Sequence, residues 1–266
     1  MQDLTITLMQ ASLAWKDIEQ NLRKFGEWIS GLPQKSDLIV LPEMFSTGFV
    51  VEPSEVAEPM DGSAMQWLYS QAKTTGCTIT GSLAITENGK YYNRLIWMRP
   101  DGSYETYDKR HLFRMGNEDE RFTMGKRQLI VELGGWKIRP LVCYDLRFPV
   151  WSKNKLEDGN YDYDCLIYVA NWPSSRSLAF RSLLVARAIE NQTYLAGVNR
   201  VGLDGNGVAH KGESAIIDFK GNYLVQCPQD TEQIVTFTLS RQALVDQRQQ
   251  FAVGLDWDRF TIEGCL

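Results

Sequence analysis

The chain has 266 residues, 44% hydrophobic and 23% charged, a composition suited to a globular protein with one large α/β core. Its formal net charge is −5, with Lys and Arg scattered among acids, which argues against the basic stripe of a nucleic-acid binder. No apolar run nears the ~20 residues that cross a bilayer, and five cysteines without CxxC spacing fit neither a disulfide framework nor a zinc ribbon. That cysteine usage, with no basic and apolar leader at the start, predicts a reducing, cytoplasmic setting without membrane attachment.

In chain order, residues 4–10 are rich in β-branched and aliphatic side chains and read as a strand. Asp17 is placed to cap a helix in which Ile18, Leu22, Phe25 and Ile29 form one apolar stripe. Residues 38–41 are wholly apolar, as expected of a strand covered on both faces. A helix over 64–73 and a strand over 78–84 follow. Asn88-Gly89 and Pro100-Asp101-Gly102 are turn signals, making a meander of strands near 92–98 and 103–107. Further strands are predicted at 136–142, 166–169, 194–198, 214–218, 223–226 and 234–239, with helices at 177–190 and 240–249. Strands and helices mix throughout without repeat or linker, so the pattern predicts one α/β domain over 1–266 with helices covering sheet surfaces.

Three short stretches carry chemistry. Glu43 follows Leu38-Ile39-Val40-Leu41-Pro42, over a sheet edge of the kind where open α/β folds bind ligands. A carboxylate shielded there can serve as a general base, or it can cap the next element. Cys143 ends a second apolar strand in Arg139-Pro140-Leu141-Val142-Cys143-Tyr144-Asp145-Leu146-Arg147. At a strand-to-helix turn its sulfur can point into a pocket, with the Tyr144 amide facing a developing oxyanion. Such a thiol needs a neighbouring base or positive charge, and cysteines in buried strands are often inert core residues. Lys109, in Tyr107-Asp108-Lys109-Arg110-His111-Leu112-Phe113, can steady a thiolate and a tetrahedral oxygen, or belong to a solvated basic cluster. Asp145 and Arg147 are expected to fix the turn after Cys143, and Arg187 with Glu190 to form a helical pair. Neither His111 nor His210 has the flanks of a papain-like cysteine–histidine pair.

Together these stretches resemble the nitrilase or carbon-nitrogen hydrolase superfamily, whose glutamate, lysine and cysteine occur in this order. The resemblance runs from the first strand to about Phe219. It includes Ala170-Asn171-Trp172-Pro173, Ala186-Arg187-Ala188-Ile189-Glu190-Asn191 and His210-Lys211-Gly212-Glu213-Ser214. Leu41-Pro42-Glu43-Met44-Phe45-Ser46-Thr47-Gly48-Phe49 and His111-Leu112-Phe113-Arg114-Met115 are similar to the bacterial omega-amidase branch.

What the resemblance implies is a four-layer αββα sandwich, commonly paired as a homodimer, with the tail at about 250–266 reaching toward a partner. It implies amide hydrolysis through a thioester: Cys143 as nucleophile, Glu43 as base, Lys109 and the Tyr144 amide at the oxyanion. The family's second glutamate matches Glu118 in Gly116-Asn117-Glu118-Asp119-Glu120, with Glu120 the competing register, and would orient Lys109 or the substrate amide. The implied substrate is the ω-amide of a short 2-oxo dicarboxylic acid, such as 2-oxoglutaramate or 2-oxosuccinamate. Its carboxylate suits a bidentate arginine, with Arg114 and Arg176 as candidates. Phe45, Phe113 and Trp172 are candidate pocket walls. No cofactor or metal is expected, because no ligand cluster stands in the sequence.

Three other readings compete. A carbamoylase, nitrile hydrolase or aliphatic amidase would use the same three residues. A scaffold on the same fold would leave Cys143 unreactive. A redox sensor would need a resolving partner for Cys143, for which only Cys165 offers itself through the fold.

Overall fold

Alternation along the strands sets the layers. In the computed structural model, which describes residues 2–264, strand β1 (Leu4–Gln10) turns Leu4, Ile6 and Leu8 to one side and Met9 to the other. Helix α1 (Ile18–Ser30) begins where Asp17 accepts a hydrogen bond from the Gln20 amide at 3.0 Å, as its sequence position predicts. Its Leu22, Phe25 and Ile29 are buried. Strand β2 (Leu38–Val40) is buried throughout, with Leu38 and Val40 facing inward and Ile39 outward. Helix α2 (Ser63–Thr75) packs beside α1 over the outward side chains.

Strands β3 (Thr78–Glu87) and β4 (Lys90–Met98) extend past the predicted bounds because they pair directly, Glu87 opposite Lys90. Asn88 and Gly89 both hold positive φ, 52° and 71°, the turn that a twisted two-residue hairpin requires. Strand β5 (Tyr104–Asp108) completes the meander.

The second half repeats the theme. Short helix α3 (Glu118–Arg121) precedes β6 (Val131–Leu133) and β7 (Trp136–Val142), and α4 (Pro149–Ser152) precedes a small hairpin, β8 (Leu156–Glu157) and β9 (Asn160–Tyr161). Strand β10 (Cys165–Ala170), helix α5 (Ser177–Glu190) and strand β11 (Tyr194–Asn199) form a crossover between parallel neighbours. A second hairpin, β12 (Val201–Leu203) and β13 (Ala209–Lys211), leads to β14 (Ala215–Ile217), β15 (Tyr223–Gln226), β16 (Gln233–Leu239) and helix α6 (Arg241–Gln250).

One six-stranded sheet has the order β16-β1-β2-β3-β4-β5, the other β15-β14-β11-β10-β7-β6. Each has a parallel centre, β1-β2-β3 or β7-β10-β11, with antiparallel neighbours outside. Leu8, Leu38 and Trp97 from the first sheet join Val142 and Ile167 from the second in one core. Helix α5 covers the far face of the second sheet, and an added Cβ at Gly197 of β11 would lie 2.9 Å from Leu184 of α5. The layers therefore run helix, sheet, sheet, helix.

The tail lies on its own chain among the described residues: Trp257 packs edge-on against Tyr161 at 5.8 Å, with the Lys153 ammonium 3.6 Å from its ring centre. Cys265, the fifth cysteine, lies outside the described residues. Among these no helix is long and apolar enough to cross a membrane.

Candidate active site

The strand ends bring the chemistry together. Strand β5 is antiparallel to β4, which is antiparallel to β3, so β5 runs with β2 and ends on the same sheet edge. Glu43 follows β2, Lys109 follows β5, Cys143 follows β7, and Asn171 follows β10. Lys109 Nζ donates to Glu43 Oε1 at 2.8 Å and to Glu118 Oε2 at 2.9 Å. The Asn171 amide donates to Glu43 Oε2 at 2.8 Å, and the Asn171 side chain to the Glu43 carbonyl. Glu118 also takes the Phe113 amide at 2.6 Å. Glu43 and Glu118 are fully buried and Lys109 is 1% exposed. Gly125 closes this group from behind: its amide bonds to the Lys109 carbonyl at 3.0 Å, and a Cβ there would lie 2.0 Å from the Asp108 carbonyl oxygen.

Cys143 opens a tight helical turn, Cys143–Arg147, and holds a left-handed φ of 41°. A non-glycine residue pays strain there, so the surroundings must hold it. Buried Asp145 does so, accepting from the Tyr107 hydroxyl at 2.7 Å, the His111 amide at 3.0 Å and the Val142 amide at 3.1 Å. His111 Nδ1 lies 2.8 Å from Asp145, so Nδ1 carries the hydrogen, a carboxylate being able only to accept. The turn after β7 is thereby tied to the segment that carries Lys109.

Two carboxylates face one ammonium. Burial works against the Lys109 charge, but Glu118 and Glu43 outweigh it and hold the ammonium above its ordinary range. Burial, opposed by Lys109 and helped by the Glu43 charge, raises the Glu118 carboxyl. Burial and the Glu43 charge push the Cys143 thiol well up, against the pull of Lys109. The resting sulfur is therefore a thiol, and it needs a base before it can attack.

Glu43, Lys109 and Cys143 open onto one cleft of about 390 Å³. The family model for carbon-nitrogen hydrolase matches residues 5–249. The chain belongs to the carbon-nitrogen hydrolase family. It is 43% identical over 262 residues to omega-amidase YafV of Escherichia coli (strain K12), covering 98% of this chain and 100% of the relative. It is 32% identical to the 2-oxoglutaramate amidase of Bacillus subtilis (strain 168), covering 94% and 95%. Among solved structures, XC1258 of Xanthomonas campestris, a CN-hydrolase superfamily protein with an arsenic adduct in its active site, superposes with a TM-score of 0.96. That pair shares 46% identity over 98% of this chain and 100% of the other. The chain is thus an amidase-type hydrolase of carbon–nitrogen bonds, and the nitrilase fold expected from its motifs is the fold it has.

Around this hydrolase site, the structure places the remaining candidates unevenly. Phe113, Trp172 and Arg176 line the cleft, as does Tyr144, whose amide stands at the start of the helical turn where no intrahelical acceptor exists. Glu118, not Glu120, is the buried glutamate, and it touches Lys109 rather than the cleft. Arg114 is a correction: its side chain is 78% exposed and pairs with Asp119 at 3.0 Å, outside the cleft. Phe45 is another: it packs at 5.8 Å against Phe25 and against Trp67 in the outer core, and Phe49 takes the wall position instead. Arg147 does not pair with Asp145; it lines the cleft with its guanidinium 4.8 Å from the Trp172 ring. Arg187 does pair with Glu190 at 2.9 Å.

His111 stacks on Phe148 at 3.7 Å, and His210 lines the cleft but is pushed down to about 4 by burial and Arg200, with its Nδ1 bonded to the Val208 carbonyl. Neither histidine is set as a base for Cys143. Cys165 sits four residues before Val169, which pairs with Val142, so about 13 Å of strand separates it from Cys143. That is too far for a resolving disulfide.

Proposed function

We propose that this hydrolase is an omega-amidase that cleaves the terminal amide of a short 2-oxo dicarboxylic acid monoamide through a Cys143 thioester. The observation that carries the reading is one cleft holding thiol, carboxylate and ammonium beside two guanidiniums, Arg147 and Arg176. Arg176 lies 5.1 Å from the Phe113 ring, and among the described residues neither arginine is in an ion pair, unlike Arg114. Two half-buried cations stacked on aromatic walls suit a substrate carboxylate and an adjacent oxo group. The Escherichia coli and Bacillus subtilis relatives support that substrate class. The arsenic adduct in the Xanthomonas active site fits a soft sulfur donor at the same place.

Glu43 takes the Sγ proton as sulfur attacks the amide carbon, and the carbonyl electrons move to oxygen. Lys109 has three hydrogens; one each to Glu43 and Glu118 leaves a third for that oxyanion, beside the Tyr144 amide. Collapse breaks the carbon–nitrogen bond, and protonated Glu43 gives its proton to the departing nitrogen, releasing ammonia. Glu43 then takes a proton from water, whose oxygen attacks the thioester. The second collapse expels sulfur, which recovers its proton from Glu43.

The test is ammonia release by purified protein from 2-oxoglutaramate, with glutamine as control. Fast release from the oxo-acid amide and slow release from glutamine are expected. Faster turnover of a carbamoyl or nitrile substrate would replace this reading with another branch of the family. Arg147→Ala and Arg176→Ala should each lower kcat/KM for 2-oxoglutaramate about 10- to 100-fold, mainly through KM, the loss of a charged hydrogen bond. Hydrolysis of a short amide without a carboxylate should change little in either variant; equal losses on both substrates would remove the arginines from carboxylate recognition.

A further inference from the structure

We propose that Asn93 is a positioning residue for the acid–base pair: its side-chain amide clamps Glu43 beside Glu118 and leaves Glu43 Oε2 as the oxygen free to work on Cys143. This rests on the reading above, in which Glu43 is the base. Asn93 lies on β4 in phase with Leu95 and Trp97, whose side chains enter the inter-sheet core, and it is fully buried. Its Nδ2 donates to Glu43 Oε1 at 2.8 Å and to Glu118 Oε1 at 3.1 Å. Its backbone carbonyl takes the Lys109 amide at 2.9 Å. One residue therefore touches three members of the site from three different elements.

The chemistry of the amide makes the orientation obligatory. Among the described residues, Asn93 Oδ1 accepts from no protein group, although it is buried. Flipping the amide would aim that oxygen at two carboxylates and lose both donors, so the unpartnered oxygen is the lesser cost. A neutral double donor also lets two carboxylates share a site that holds one ammonium, without adding a second positive charge that would compete for the thiol. On Glu43, Oε1 is occupied by both Lys109 and Asn93, whereas Oε2 takes only the Asn171 amide. The lone pair left for a thiol or water proton is thus on Oε2.

The charged or titratable groups nearest this pair are Lys109 after β5 and Cys143 after β7, with Glu43 and Glu118 themselves, while Tyr144, Arg147, Arg176, Asp204 and His210 line the cleft onto which Glu43 opens. Asn93→Leu removes the donors and favours protonated carboxyls, and Asn93→Asp adds a third negative charge and favours them more. The acidic limb of kcat/KM against pH should move up by about one pH unit or more in Asn93→Leu and further in Asn93→Asp, with KM near wild type. The pH profile of Cys143 alkylation by iodoacetamide should move with it. Folded variants that lose rate equally at all pH, with both limbs in place, would overturn the assignment.

If neither variant folds, the unmodified protein decides: the Asn93 side-chain amide protons should shift in NMR spectra across the pH range in which activity changes. Invariant resonances would overturn it. Alkylation separates the two readings. A moved alkylation profile with no amide hydrolysis keeps Asn93 and removes the substrate reading, whereas hydrolysis with unmoved profiles removes Asn93 alone.

Discussion

Cys143→Ala should abolish ammonia release, by about 10⁴-fold or more, while the protein melts within a few degrees of wild type. The size follows from the proposed thioester. Without sulfur there is no covalent intermediate, and Glu43 would have to drive water directly onto an unactivated amide. Cys143→Ser should be nearly as poor, because a hydroxyl gives up its proton far less readily to a carboxylate than a thiol does. The stability expectation follows from the backbone. Cys143 sits at φ 41°, and alanine meets the same left-handed strain, so the substitution costs only the packing of one sulfur. Alkylation of Cys143 by iodoacetamide should inactivate the folded wild type, since Cys143 lines the cleft whereas buried Cys77, Cys165 and Cys227 do not. Burial and the Glu43 charge hold the thiol up, so that modification should quicken toward alkaline pH. Full hydrolysis by Cys143→Ala, or inactivation that persists in it, would remove Cys143 from the reaction.

How much of this was legible in the sequence depends on whether the deciding contact is local. The helix of Ile18, Leu22, Phe25 and Ile29, its Asp17 cap and the Asn88-Gly89 hairpin follow from spacing and turn chemistry within a few residues. Lys109 is different. Read by itself, Asp108-Lys109-Arg110-His111 looks like a solvated cluster. It is buried because β5 ends against two glutamates that are 66 and 9 residues away. Only the order of glutamate, lysine and cysteine pointed there.

Glu118 likewise sits in Asn117-Glu118-Asp119-Glu120, a stretch with nothing local to mark one acid as internal; the four-residue α3 turns Glu118 inward and Glu120 outward. Two of the arginine expectations, for Arg114 and Arg147, failed for the same reason. Arg114 follows Phe113 in sequence yet swings to Asp119, while Arg147 leaves its expected partner because Tyr107, His111 and Val142 already occupy Asp145. Asn93 did carry a readable signal that passed unused. It is a polar residue on the same face of a strand as Leu95 and Trp97, where an amide needs a reason to be.

Lys109→Met should cost both stability and turnover, and the pH dependence of the stability loss is the sharper test. Lys109 is the only cation bonded to Glu43 and Glu118 among the described residues, at 2.8 and 2.9 Å. Methionine fills the volume but leaves two buried carboxylates facing one another, which should cost about 3–5 kcal/mol near neutral pH and lower Tm by roughly 10 °C. The sign is fixed by direction. In wild type the ammonium is raised above its ordinary 10.5, so its contribution is fully present below that value and is lost only as pH climbs through the higher folded one. In Lys109→Met only neutral amide donors, from Asn93, Asn171 and Phe113, are left to oppose burial and mutual repulsion, which raise the carboxyls. A raised carboxyl favours the folded state at low pH, and that advantage disappears as pH rises through its folded value. The gap in Tm between the two proteins should therefore be small near pH 4 and widen toward pH 8. Turnover should fall at least 10²- to 10³-fold at every pH, because the oxyanion loses its cation as well. A Tm gap that is constant with pH would mean that the two glutamates do not depend on Lys109 for their charge. The proposed proton relay through Glu43 would then need a different source of electrostatic support.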